Sequence, residues 1–128
     1  VTRPTALRIG LALLLLLSLA ACTQPVPVDK RDYIGHWQGE GVLLVIRADG
    51  HADYARVQDS RRTNIEGPAH SFTSQGFRIG IGPLSARFKV QSPPAKVDGA
   101  WHMTVDGVVL TRRNLQELLQ KNEPAIST

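Results

Sequence analysis

Cysteine is almost absent from this chain. Among 128 residues only Cys22 carries a thiol, which excludes an internal disulfide framework and any Cys-rich zinc module. Aromatic residues are few, with two Trp, two Tyr and three Phe, so each one bears on where a core can lie. No charge of one sign dominates: Lys plus Arg number 15 against 11 Asp plus Glu, a formal net charge of +4. No basic run interleaved with aromatics occurs, so nucleic-acid binding has little support. Catalytic groupings are missing too. His36, His51, His70 and His102 are scattered, with no His-x₃-His pair and no HExxH. Ser71 and Ser74 stand outside any Gly-x-Ser-x-Gly setting, and Glu40, Glu66 and Asp106 show no pairing in the sequence. Gly80-Ile81-Gly82 leads into no helix start and reads as a turn rather than a phosphate loop. His51 and Asp53 would share a strand face, but two ligands without a third make a weak metal pair. The chain is therefore expected to be non-catalytic, with no cofactor and no metal site.

What the chain does hold is 42% hydrophobic residues, 11 Gly and 8 Pro, as suits a single domain rich in tight turns. The longest apolar stretch comes first. Arg3 and Arg8 precede Ile9–Ala21, 13 apolar or small residues, which as a helix would cover only about 20 Å against the roughly 20 residues that a membrane span needs. A basic start, a short apolar stretch and small residues at its end read as a secretory signal over 1–21. Removing it takes away Arg3 and Arg8 and lowers the formal charge from +4 to +2. Val1 in place of Met leads us to expect a GTG start or a trimmed terminus.

Leu19-Ala20-Ala21-Cys22 resembles the bacterial lipoprotein signal. Small side chains at 20 and 21 let a protease approach the backbone, and a thiol is the nucleophile from which a diacylglycerol thioether can be made. The resemblance implies lipid on Cys22, cleavage after Ala21 and acylation of the freed amine. Several acyl chains anchor far better than one, at about 0.8 kcal/mol per buried CH₂. Thr23 stands where that family's inner-membrane retention signal would have Asp, which implies the outer membrane, with the domain on its periplasmic side. Pro25 and Pro27 then suggest an extended tether over 22–32, of which residues 24–32 reach roughly 28 Å at about 3.1 Å per residue.

From Tyr33 onward the pattern is strand after strand. Phe77-Arg78-Ile79-Gly80-Ile81 alternates with period two, as do Leu84 to Val90 and Trp101 to Val105, the signature of a sheet wet on one face. Val42-Leu43-Leu44-Val45-Ile46 is continuously apolar and predicts a strand covered on both faces. Strands are expected near 36–40, 42–47, 51–57, 62–66, 69–73, 77–82, 84–91, 100–105 and 108–112, the first two forming one bent strand or two. Asp106-Gly107 is a two-residue hairpin signal and Asp49-Gly50 fits a three-residue loop with a bulge. Gly67-Pro68 and Pro93-Pro94 mark further breaks. Short sequential connections imply an all-β, small antiparallel up-and-down barrel of eight or nine strands, closed to remove exposed edges. Trp37, Phe77, Ile79, Phe88, Trp101 and Met103 are expected to turn inward. Asn114-Leu115-Gln116-Glu117 reads as the capped start of a C-terminal helix ending by Asn122, so the domain spans 33–122 with a tail over 123–128.

Gly35-His36-Trp37 resembles the lipocalin Gly-x-Trp motif at the entry to the first strand. In that family the Trp closes one end of the barrel under an Arg that follows the last strand. The resemblance implies barrel closure by Gly35, Trp37 and Arg112, with Arg113 as the neighbouring candidate. Over nearly its whole length the mature chain is also similar to small proteobacterial outer-membrane lipoproteins of unknown function. The expected role is a lipid-anchored, non-catalytic binding module at the periplasmic face of the outer membrane, for a small apolar or lipid-like ligand or an envelope component. The alternative is an inhibitor or immunity lipoprotein aimed at a periplasmic hydrolase, with Arg61-Arg62 or Pro93-Pro94 at its working surface.

Overall fold

In the computed structural model residues 24–114 are described. Strands β1 (Gly35–Gly39), β2 (Val42–Ile46), β3 (His51–Gln58), β4 (Arg61–Thr73), β5 (Gly76–Ile79), β6 (Ala86–Val97), β7 (Ala100–Val105) and β8 (Val108–Arg113) follow one another. Each pairs antiparallel with the next, and β1 closes on β8, giving an eight-stranded barrel. Closure leaves no open sheet edge, which is what short strands with hairpin connections need. The signal over 1–21, Cys22, and the expected C-terminal helix from residue 115 onward lie outside the described residues. No helix among the described residues is long and apolar enough to cross a membrane.

Two expected breaks are absorbed into strands. Gly67-Pro68 does not end a strand. Instead β4 runs through it and changes partner there, pairing with β3 up to Pro68 and with β5 from Ala69. A Cβ on Gly67 would come within 3.0 Å of the Gly80 Cα, so only glycine lets the two backbones meet at this corner. Pro93-Pro94 likewise sits inside β6, within register shifts that skip from Ser92 to Ala95 opposite β7. Proline cannot donate to a ladder, and a bulge relieves it of that duty. The hairpin after β6 is made by Asp98-Gly99, both at positive φ (52° and 82°), the same type of turn as Asp106-Gly107.

The run 42–46 alternates rather than burying both faces. Val42, Leu44 and Ile46 are buried, while Leu43 is 43% exposed. Nothing among the described residues forms a second layer over it. The segment expected as an extended tether is partly folded. Val26 joins the core and donates its N–H to Ala48 O at 3.3 Å, and Val28–Tyr33 forms a 3₁₀ helix.

Candidate functional site

The barrel interior is occupied by the protein's own side chains. Trp37, Leu44, Ala52, Ile79 and Leu110 have no solvent exposure, and Phe77, Phe88 and Met103 have almost none. The rings of Tyr33, Phe72, Phe77, Phe88 and Tyr54 run in a continuous chain, with successive centroids 5.5, 5.4, 5.3 and 4.7 Å apart. Such offset and edge contacts add to the burial term. An eight-stranded barrel is just wide enough for its side chains to fill.

One end is sealed by a row across β7, β8 and β1. Trp37 stands opposite Arg112, and Trp101 lies one rung beyond the His102–Thr111 pair. The Arg112 guanidinium carbon lies 4.8 Å from the Trp37 ring centroid and 4.7 Å from that of Trp101. Its Nη2 donates to the Asp32 carbonyl, while the Trp37 indole N–H donates to Tyr33 O at 2.8 Å. The 3₁₀ helix thus caps the row from below. A Cβ on Gly35, at φ +145°, would lie 3.1–3.3 Å from the Arg112 side chain, so glycine opens the path for the guanidinium. Burial lowers the Arg112 pKa, and the nearby Asp32 charge acts against that shift. Trp101 is half-buried rather than fully enclosed, because it forms the outer slab of this stack. Arg113 follows on the exposed side of the strand.

A second arrangement lies on the outer face of β5 and β6. Phe77 and Phe88 pair inward, which turns Arg78 and Arg87 outward and directly opposite each other. Lys89 follows on the same face. A pocket of about 310 Å³ is lined by these three cations and by Ser71, Thr73, Gln75, Phe77 and Phe88. Ser71 is at φ 57°, inside a register shift of β4. His70 pins this bulge: its Nε2 lies 2.8 Å from Gly80 O and its Nδ1 2.8 Å from Ser71 Oγ. Because a carbonyl only accepts, Nε2 donates to Gly80 O. The β5–β6 connection then presents Ile81 at 58% and Leu84 at 86% exposure.

The four histidines lie on four different strands, β1, β3, β4 and β7. His102 Nδ1 bonds Thr111 Oγ1 at 3.0 Å. Asp106 is a turn residue whose carboxylate accepts the Lys89 N–H at 2.8 Å, and Glu40 sits in the β1–β2 turn. Arg61-Arg62 begins β4 at the tip of the β3–β4 hairpin and is exposed. His51 and Asp53 do share the outer face of β3, and the register adds a residue that sequence reading did not connect to them, Glu66, opposite Asp53. His51 Nε2 lies 3.6 Å from Asp53 Oδ1 and 3.3 Å from Glu66 Oε1. The Asp59-Ser60 turn, with both residues at positive φ, could have revealed it. A two-residue turn there sets Gln58 opposite Arg61 and, five rungs along, Asp53 opposite Glu66.

Compared with known protein families, with curated proteins and with solved structures, the chain finds no match.

Proposed function

We propose that this chain is an outer-membrane lipoprotein, held through lipid on Cys22 at the periplasmic face, whose lipocalin-like barrel is a non-catalytic binding module. The ligand class is an anionic, lipid-like component of the envelope, and it binds outside the barrel. The observation that carries this reading is the pairing of Arg78 with Arg87 across β5 and β6 beside a 310 Å³ pocket. Like charges directly opposite each other weaken a sheet, and an acidic head group between them reverses that penalty with charge-assisted hydrogen bonds. Ile81 and Leu84, exposed on the adjoining turn, suit the apolar part of the same ligand. Among the described residues the interior is packed with the protein's own side chains, which favours an external site over the open cavity a carrier would use. Closure of the barrel end by Gly35, Trp37 and Arg112 is structural in this reading.

The test has two arms. Labelled palmitate should mark the wild-type chain in a Gram-negative host and not the Cys22→Ser variant, and label retained by that variant would refute the anchor. The Cys22→Ser protein should then bind phosphatidylglycerol vesicles in a salt-sensitive manner, and Arg87→Glu should lower that binding by about tenfold or more. Equal binding to neutral vesicles would sink the ligand assignment. The inhibitor reading is favoured by one observation, the exposed Arg61-Arg62 at the β3–β4 hairpin tip. A hydrolase recovered from envelope extract at one-to-one stoichiometry, and lost on Arg61→Glu, would replace the lipid reading with it.

A further inference from the structure

We propose that His51, Asp53 and Glu66 form a binding site for a divalent transition-metal ion, with Zn²⁺ as the probe that defines its class. The site lies on the outer face of β3 and β4 and does not depend on the lipid reading. His51 and Asp53 are two residues apart on β3, and Glu66 faces Asp53 on β4, so the longest hairpin of the barrel sets all three positions. One ligand atom from each residue lies within 4.8 Å of the other two. Ligands held about 2.0–2.1 Å from a tetrahedral zinc stand roughly 3.3–3.4 Å apart. His51 Nε2 already meets that spacing, at 3.3 Å from Glu66 Oε1 and 3.6 Å from Asp53 Oδ1. Only the two carboxylates have to approach each other. They are free to do so, since Asp53 and Glu66 side chains are 52% and 71% exposed while that of His51 is held at 28%.

The electrostatics point the same way. Asp53 and Glu66 are like charges on one rung, an arrangement that costs stability when nothing neutralises it. Among the described residues no Lys or Arg comes within 4 Å of either carboxylate, and His51 Nε2 is the one basic side-chain nitrogen that does. One imidazole and two carboxylates form a borderline-hard donor set suited to Zn²⁺ and its neighbours. Three protein ligands leave a coordination position open. Beside them is a depression of about 250 Å³, which Asp53 and Glu66 line together with Leu43, Arg62 and Asn64. It gives that position room for water or a small anion, with Arg62 at the rim.

Calorimetric titration of Zn²⁺ into the Cys22→Ser chain decides the matter, the substitution removing the one thiol that could compete for metal. The expected result is saturable binding of one equivalent, abolished by His51→Ala and weakened about tenfold or more by Glu66→Gln and by Asp53→Asn. His36→Ala should leave the isotherm unchanged. Co²⁺ in place of Zn²⁺ should give visible absorption bands that disappear in the same variants. Binding that survives His51→Ala, or no stoichiometric binding at all, overturns the proposal and leaves His51 as a structural neighbour of two carboxylates. Should His51→Ala fail to fold, Glu66→Gln on its exposed side chain still carries the test, since an unchanged isotherm there is equally fatal.

Discussion

Arginine does opposite work at two places in this barrel. At the closed end Arg112 is sandwiched between Trp37 and Trp101 and bonded to the Asp32 carbonyl, so its charge is answered from within the chain. On the β5–β6 flank Arg78 and Arg87 confront each other across a rung, and among the described residues their one side-chain hydrogen bond runs from Arg78 to Ser85 Oγ at 3.2 Å. The first cation consolidates the fold at the cost of desolvation. The second pair lies on the outward face with no indole or carboxylate partner among the described residues. The residue type is the same in both cases, but Arg112 stands on the inward side of its strand, opposite the buried Trp37, whereas Arg78 and Arg87 face outward. What separates them is whether the neighbouring rungs supply indole faces and carbonyls or only more cations.

The sharpest way to break that contrast is at Arg112. Arg112→Ala removes two cation–π contacts, each about 0.5–1 kcal/mol, and a charge-assisted hydrogen bond of about 1.5–3 kcal/mol. Urea unfolding followed by Trp fluorescence should show a loss on the order of 2–4 kcal/mol. Arg112→Lys should recover little of it, because a point charge cannot stack flat on both indoles. A loss below about 1 kcal/mol would place Arg112 in the same class as the flank arginines and leave the closed end held by Trp37 and the 3₁₀ helix alone.

Much of this architecture was legible because local chemistry and tertiary structure agreed. Period-two alternation placed Phe77, Ile79, Phe88 and Met103 inside, where they are buried, and Asp106-Gly107 marked a hairpin that forms. The failures share a cause. Gly67-Pro68 and Pro93-Pro94 announce a local bend, but whether a bend ends a strand depends on which partner waits beyond it. In β4 the new partner is β5, and the strand continues. Leu43 looked buried because its neighbours are apolar, yet facing depends on what covers a sheet, which five consecutive residues do not encode. The cluster of His51, Asp53 and Glu66 stayed hidden for the same reason: it exists only through the register of β3 on β4. Asp98-Gly99 carries the same two-residue hairpin signal as Asp106-Gly107, a few residues beyond the bend that Pro93-Pro94 announces.

The flank can be sharpened in the other direction. Arg87→Glu converts the like-charged rung into an opposite-charged one, and cross-strand pairs of that kind contribute roughly 0.2–1 kcal/mol. The variant should be slightly more stable than wild type in the same urea series, while its vesicle binding falls. A gain in stability coupled to a loss of binding is what a site that sacrifices stability for function predicts. If Arg87→Glu destabilised the barrel, the arginine pair would be part of its fold, and the contrast with Arg112 would collapse.

The smallest effect at neutral pH, and the most local, is at Tyr33, which caps the closed end against Phe72 and Phe77. Burial raises its phenol pKa above the ordinary value of 10.0, because the phenolate would lose hydration among rings that offer no charge. For an acid whose folded pKa is raised, the unfolded chain releases its proton first. The associated stability is therefore fully present below about pH 10 and is lost as pH rises through the folded-state value. Unfolding free energy followed across the alkaline range should fall more steeply for wild type than for Tyr33→Phe, while the two should nearly coincide at pH 7. Every other ionisable group is common to both proteins, so the difference between the curves isolates the closed end. Parallel alkaline limbs would mean that the Tyr33 hydroxyl reaches water in both states and that the 3₁₀ helix seals the barrel less tightly than its contacts imply.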